Sequence, residues 1–169
     1  MIYSLVYYPE IDTTQINYFR KKYDPQVDLI QPHITIMFPV SDFVGEDKLV
    51  DHVGNVLNER QRFTIRLHGL YKSWDDCLFL LVQEGKEAIA DLHAQIYTGL
   101  LADLRQTEFP YVPHLTLGMF ANNRSQYAHA VDEANRLDLN YRCVLDKLHL
   151  VKIDDQRSGV VSSREFLLV

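Results

Sequence analysis

A short string that occurs twice constrains this chain more than anything else in it. Pro32-His33-Ile34-Thr35-Ile36 and Pro113-His114-Leu115-Thr116-Leu117 lie 81 residues apart. At the same offset Leu67-His68 falls on Leu148-His149, and Val50-Asp51 falls on Val131-Asp132. Three coincidences at one spacing indicate a duplicated unit of about half the chain, with copies at approximately 1–76 and 77–169. Phe79-Leu80-Leu81-Val82 returns as Phe166-Leu167-Leu168-Val169 at an offset of 87, as expected if the second copy gained six residues around 154–163.

Apolar spacing fills in the unit. Strands are expected over 2–8, 33–40 and 63–71 in the first copy, and over 77–82, 114–120, 142–153 and 165–169 in the second. Helices are expected over 12–22, with Asp12 or Thr13 as N-cap and Pro25 beyond the end, and over 46–58, 87–104 and 125–137. Strands and helices segregated in this way make an α+β fold. The expectation is a single bilobal domain over 1–169. Two antiparallel-rich sheets would face a central groove, with helices on the outer faces and a pseudo-twofold between the halves.

In a strand, residues i and i+2 share a face about 7 Å apart. His33 and Thr35 therefore point one way while Ile34 and Ile36 fill the core, and His114 and Thr116 repeat this against Leu115 and Leu117. Polar groups left unpaired in an apolar strand are costly to bury, so these faces should line a wet groove. Two imidazoles across a phosphate diester supply a matched acid and base. One, neutral, takes a proton from the attacking water or hydroxyl, and the other, charged, gives one to the leaving oxygen. The Thr35 and Thr116 hydroxyls can hold the non-bridging oxygens, where charge grows in the transition state. No metal is required, and none is expected: each His-x-Thr offers one ligand, with no carboxylate or thiolate at useful spacing.

On these paired motifs and the duplication around them, the chain resembles the two-histidine (2H) phosphoesterase superfamily, the 2′-5′ RNA ligase and cyclic phosphodiesterase-like proteins, over essentially its whole length. The resemblance implies a metal-independent enzyme without a cofactor. Its substrate would be a diester of a ribose 2′-oxygen, such as a 2′,3′-cyclic phosphate or a 2′-5′ linkage, hydrolysed or reversibly formed. His33, Thr35, His114 and Thr116 match the family's motifs, with the second histidine as the base and the first as the acid; ligation would exchange these roles. Many RNA-active relatives carry a basic residue close behind a motif, where this chain has Met37 and Met119. That departure points away from long, highly charged RNA and leaves open a small non-RNA cyclic phosphate, or a nucleotide- or RNA-end-binding module without turnover.

Other residues are candidates for holding substrate. Tyr111, three residues before His114, and Trp74 could stack a nucleobase, whereas Phe38 and Phe120 fit the core better. Arg157, Lys72 or Lys152 could supply positive charge. His68 and His149 fit structural roles, and His52, His93 and His129 fall in helices as solvated or partly buried positions.

A net charge of −6 argues against extended binding along a nucleic-acid backbone but allows a small nucleotide or RNA-end substrate. Two cysteines without ligand spacing suggest buried thiols in a reducing compartment. With no basic, apolar leader and no run long enough to span a bilayer, a cytoplasmic monomer with no membrane partner is expected.

Overall fold

The alternation of apolar residues builds strands that bury one face, and the computed structural model, which describes residues 1–41 and 45–169, joins eight of them edge to edge. In chain order the elements are β1 (Ile2–Tyr7), α1 (Thr14–Tyr23), β2 (Ile34–Ser41), α2 (Glu46–Leu57), β3 (Phe63–Lys72), β4 (Cys77–Glu84) and α3 (Lys86–Ile96). A 3-10 turn (Gly99–Leu104), β5 (His114–Met119), α4 (Arg124–Leu137), β6 (Asn140–Leu145), β7 (Lys147–Ile153) and β8 (Val160–Leu167) follow. The class is α+β, and every strand pairing is antiparallel.

The two expected sheets are one. The strand order is β6-β3-β4-β5-β2-β1-β7-β8, and its two arms meet where β2 pairs with β5 through the single pair Ile34↔Leu115. Each arm takes strands from both sequence copies: β3 joins β4 and β5, while β7 and β8 join β1 and β2. A hairpin between β3 and β4 closes short-range contacts, which explains why β3 leaves its own copy. Counting outward from the centre, β3 and β7 are both third, so the repeated Leu-His pairs occupy equivalent places.

The helices cross over as well. Helix α1 packs on β5 through Ile16, Phe19 and Tyr23, and α3 packs on β2. Asp12 accepts from the Thr14 backbone N–H at the start of α1, satisfying one of the donors a helix leaves open. The expected helix over 87–104 ends at Ile96, because the Thr98 hydroxyl bonds back to the Gln95 carbonyl and Gly99 turns the chain at φ 49°. The expected strand over 142–153 is two strands, split at Asp146, with β6 serving one outer arm and β7 the other. The last strand begins earlier than expected, at Val160. Among the described residues, no helix is long and apolar enough to cross a membrane.

Gly118 sets how closely α1 can approach β5. A Cβ there would stand 2.8 Å from the Tyr23 Cβ and 2.9 Å from the Phe120 ring. Gly118→Ala is therefore expected to cost about 1–3 kcal/mol by overpacking, read from urea denaturation. An unchanged midpoint would show that α1 gives way freely.

Candidate active site

The single pair between the two arms places the repeated motifs side by side. Ile34 and Leu115 are fully buried, as are Ile36 and Leu117, while His33, Thr35, His114 and Thr116 are half-buried on the other face. Antiparallel register carried one residue to either side of Ile34↔Leu115 would set His33 opposite Thr116, and Thr35 opposite His114. Beyond this pair the strands part, opening a groove of about 680 Å³ lined by all four side chains.

The two imidazoles are held in the same way. His33 Nδ1 donates to the Gln31 carbonyl at 2.8 Å, and His114 Nδ1 to the Val112 carbonyl at 2.6 Å. A carbonyl can only accept, so in the neutral ring Nδ1 carries the proton and Nε2 presents a lone pair. Among the described residues nothing bonds either Nε2 or either threonine hydroxyl. Phe79, one strand over, stacks on His114 with centroids 3.4 Å apart at 12°, and Tyr8 meets His33 edge-on at 6.4 Å.

Burial holds both imidazoles neutral. It pulls His33 below the usual histidine range, against the Gln31 carbonyl; Arg20 adds to the pull and Asp24 opposes it. His114 is pushed down to about 4, first by burial, with the Val112 carbonyl opposing and His33 adding to the depression. Charging one ring disfavours charging the other.

Where β2 leaves β5, its backbone finds side-chain partners. Tyr111 Oη donates to the Thr35 carbonyl at 2.7 Å, His93 Nδ1 to the Ile36 carbonyl at 2.8 Å, and the Phe38 N–H donates to Tyr97 Oη at 2.9 Å. Tyr111 lies flat on His93 at 3.8 Å. Tyr111 thus lines the groove and also braces the first motif. His93 is buried at 5% exposure, against the expectation of a solvated or partly buried helix position.

Trp74 and Arg157 also line the groove. Trp74 is 72% exposed at the rim and stacks on Phe109 at 4.7 Å and 12°. Lys72 and Lys152 do not line it: Lys72 pairs with Asp76, and Lys152 with Glu46. Among the described residues the lining cations are Arg20 and Arg157, balanced by Asp24 and Asp75. Phe120 is core, as expected, but Phe38 lines the groove. Met37 is buried in the core, whereas Met119 faces the groove. His68 bonds the Leu139 carbonyl and His149 lies near Glu165, both outside the groove lining. Among the described residues, no three His, Cys, Asp or Glu side chains gather as metal ligands.

Sequence reasoning missed Phe79 and Arg20. Phe79 was visible only as part of the Phe-Leu-Leu-Val echo. Arg20, beside Lys21 and Lys22, looks like one more solvated helix charge, yet it is 2% exposed.

Comparison with known proteins agrees with this architecture. A profile of the 2′-5′ RNA ligase superfamily matches residues 8–157. A Bacillus licheniformis protein provisionally named a phosphoesterase is 27% identical over 167 residues, 95% of each chain. Another, from Geobacillus kaustophilus, is 27% identical over 155 residues, covering 89% of this chain and 87% of that one. Among solved structures, E. coli LigT complexed with 3′-AMP superposes with a TM-score of 0.61 at 18% identity, over 99% of this chain and 94% of that one. Kluyveromyces marxianus Usb1 with uridine monophosphate superposes with a TM-score of 0.52 at 14% identity, over 99% and 98%. These two structures share the fold. The chain belongs to the 2′-5′ RNA ligase superfamily and is an enzyme of the 2H phosphoesterase type.

Proposed function

We propose that this enzyme hydrolyses a phosphodiester of a ribose 2′-oxygen, a 2′,3′-cyclic phosphate before others, without a metal or other cofactor. The observation that carries this reading is one groove lined by both imidazoles and both threonines, whose Nε2 atoms and hydroxyls have no bonding partner among the described residues. Neutral His114 takes the proton of a water as its oxygen attacks phosphorus. Charged His33 gives a proton to the departing ribose oxygen, leaving a phosphomonoester and a free hydroxyl. Thr35 and Thr116 donate to the two non-bridging oxygens.

The substrate supplies a charge that the protein's own groove residues do not. Both imidazoles are neutral there, and a bound phosphate anion favours the charged form of a nearby ring, raising its pKa. The lining charges of the described residues cancel, which suits one negative charge better than a polyanion. Its volume matches a mononucleotide-sized ligand. Arg157 can approach the phosphate and the Trp74–Phe109 rim can stack a base, with Tyr111 beneath the motif strand. LigT and Usb1 structures holding 3′-AMP and uridine monophosphate support a small nucleotide substrate. The apolar Met119 in the groove keeps a small non-RNA cyclic phosphate as the second reading. A screen of 2′,3′-cyclic nucleotides, 2′-5′ dinucleotides and simple cyclic phosphates separates the two.

His33→Ala and His114→Ala are each expected to lower kcat for a 2′,3′-cyclic nucleotide by about 10²- to 10⁴-fold, with circular dichroism and melting unchanged. Near-normal turnover in either folded variant would remove that histidine from the mechanism. Chelators should leave the rate alone; loss with EDTA and recovery on adding a metal would overturn the metal-free step.

The pH profile follows from the depressed imidazoles. The productive free enzyme has one neutral and one charged ring; with both imidazoles depressed, its share grows as pH falls from neutrality and drops once both rings are charged. kcat/KM should therefore peak on the acid side of 6.5, the ordinary histidine value, while kcat, set by the loaded enzyme, peaks at higher pH. An optimum in kcat/KM on the alkaline side of 6.5 would contradict this assignment.

A further inference from the structure

The groove wall beside His33 holds a buried ion pair that the proposed chemistry does not use. Arg20 and Asp24 on α1 and its C-cap are 2% and 5% exposed, and both line the groove. Arg20 Nε donates to Asp24 Oδ2 at 2.7 Å, and Arg20 Nη2 donates to the Ile30 carbonyl at 3.0 Å. Among the described residues, buried Nη1 has no hydrogen-bond partner. A buried pair is weak evidence of a stabilising role, since apolar groups of similar volume often serve stability as well or better. Its hydrogen bonds, however, all lead to one place.

Asp24 Oδ1 accepts from the Gln26 N–H at 2.8 Å, and the Asp24 carbonyl accepts from Val27 at 3.2 Å. The Gln26 carbonyl then accepts from Leu29 at 3.0 Å and from Ile30 at 3.2 Å. Arg20 closes this turn from the far side at Ile30, and the next residue, Gln31, offers the carbonyl that holds His33 Nδ1. Pro25 and Pro32 bracket the segment with fixed φ. Among the described residues, no charged side chain braces the second motif in this way. The segment carrying Val112 is held by Tyr111 on the Thr35 carbonyl and by the Val82 N–H on the Pro113 carbonyl.

We propose that Arg20, with Asp24, is a positioning residue for His33: it sets the segment 24–32 so that the Gln31 carbonyl keeps the proton on Nδ1 and leaves Nε2 free for the substrate. The proposal rests on the reading of His33 as one of the acid–base pair. It makes the two similar motifs unequal, since only the first depends on a charged side chain elsewhere in the fold.

The test is nitrogen-15 NMR of the histidine rings in wild type, in Arg20→Met/Asp24→Leu, which removes both charges together, and in Arg20→Lys, which keeps the charge but not the two-sided grip. In both folded variants His33 should lose its Nδ1–H preference and populate both tautomers, while His114 keeps its wild-type signals as the internal control. kcat on the cyclic nucleotide should fall roughly tenfold or more through misorientation, with KM moving less than about threefold. Unchanged His33 signals in a folded variant would overturn the proposal. So would equal changes at both rings, which would report general loosening. If the double variant does not fold, Arg20→Lys gives the same reading. The NMR result stands whether or not wild type turns over a diester, so failure of the proposed activity would be seen separately.

Discussion

One backbone pair, Ile34 with Leu115, joins the two arms of the sheet, and the rest of the groove follows from how little pairing there is around it. A longer ladder would have zipped β2 to β5 and closed the space between the motifs. A missing one would have left two unrelated sheets with their histidines unaligned. With a single pair the register is set, because the flanking residues must face one another, while the strands are free to part. Parting exposes backbone groups on β2, and Tyr111, His93 and Tyr97 take three of them. Those side chains come from α3, its C-cap and the segment before β5, so the geometry of the first motif is secured by the other half of the chain.

The electrostatics of the groove differ from those of the whole molecule. The chain carries a net charge of −6, yet the lining charges of the described residues sum to zero and burial keeps the two central imidazoles neutral. Burial dominates both histidine shifts, ahead of any single charged neighbour. In the proposed reaction the catalytic protonation would come with the ligand, whose phosphate anion would bring the counter-charge that makes an imidazolium tolerable. This fits a small monoanionic diester better than an extended backbone, whose binding relies on clustered cations.

Much of this was legible from residue order alone. The period-2 alternation of His-Ile-Thr-Ile and His-Leu-Thr-Leu predicted which side chains would be buried, and the burial agrees at each position. Element positions were legible wherever apolar spacing persists, as in α2 and α4. They failed where a local event interrupts a continuous pattern, at Thr98 in the expected long helix and at Asp146 in the expected long strand. The matching strings were visible, but the placement of β3 and β7 in the opposite arms was not, because string matching carries no information about which strand edges pair.

Sequence by itself therefore determined the two motifs, the face each presents and the family to which they belong, since side-chain alternation along a strand is a local property of the backbone. Only the tertiary structure decided that the motifs meet at a single pair, that Phe79 stacks on His114, and that Arg20 is sealed in the groove wall while Lys72 and Lys152 turn to surface carboxylates. These outcomes depend on contacts between residues far apart in the chain, where burial and hydrogen bonding are settled by which surfaces pack together and not by any residue's neighbours in sequence.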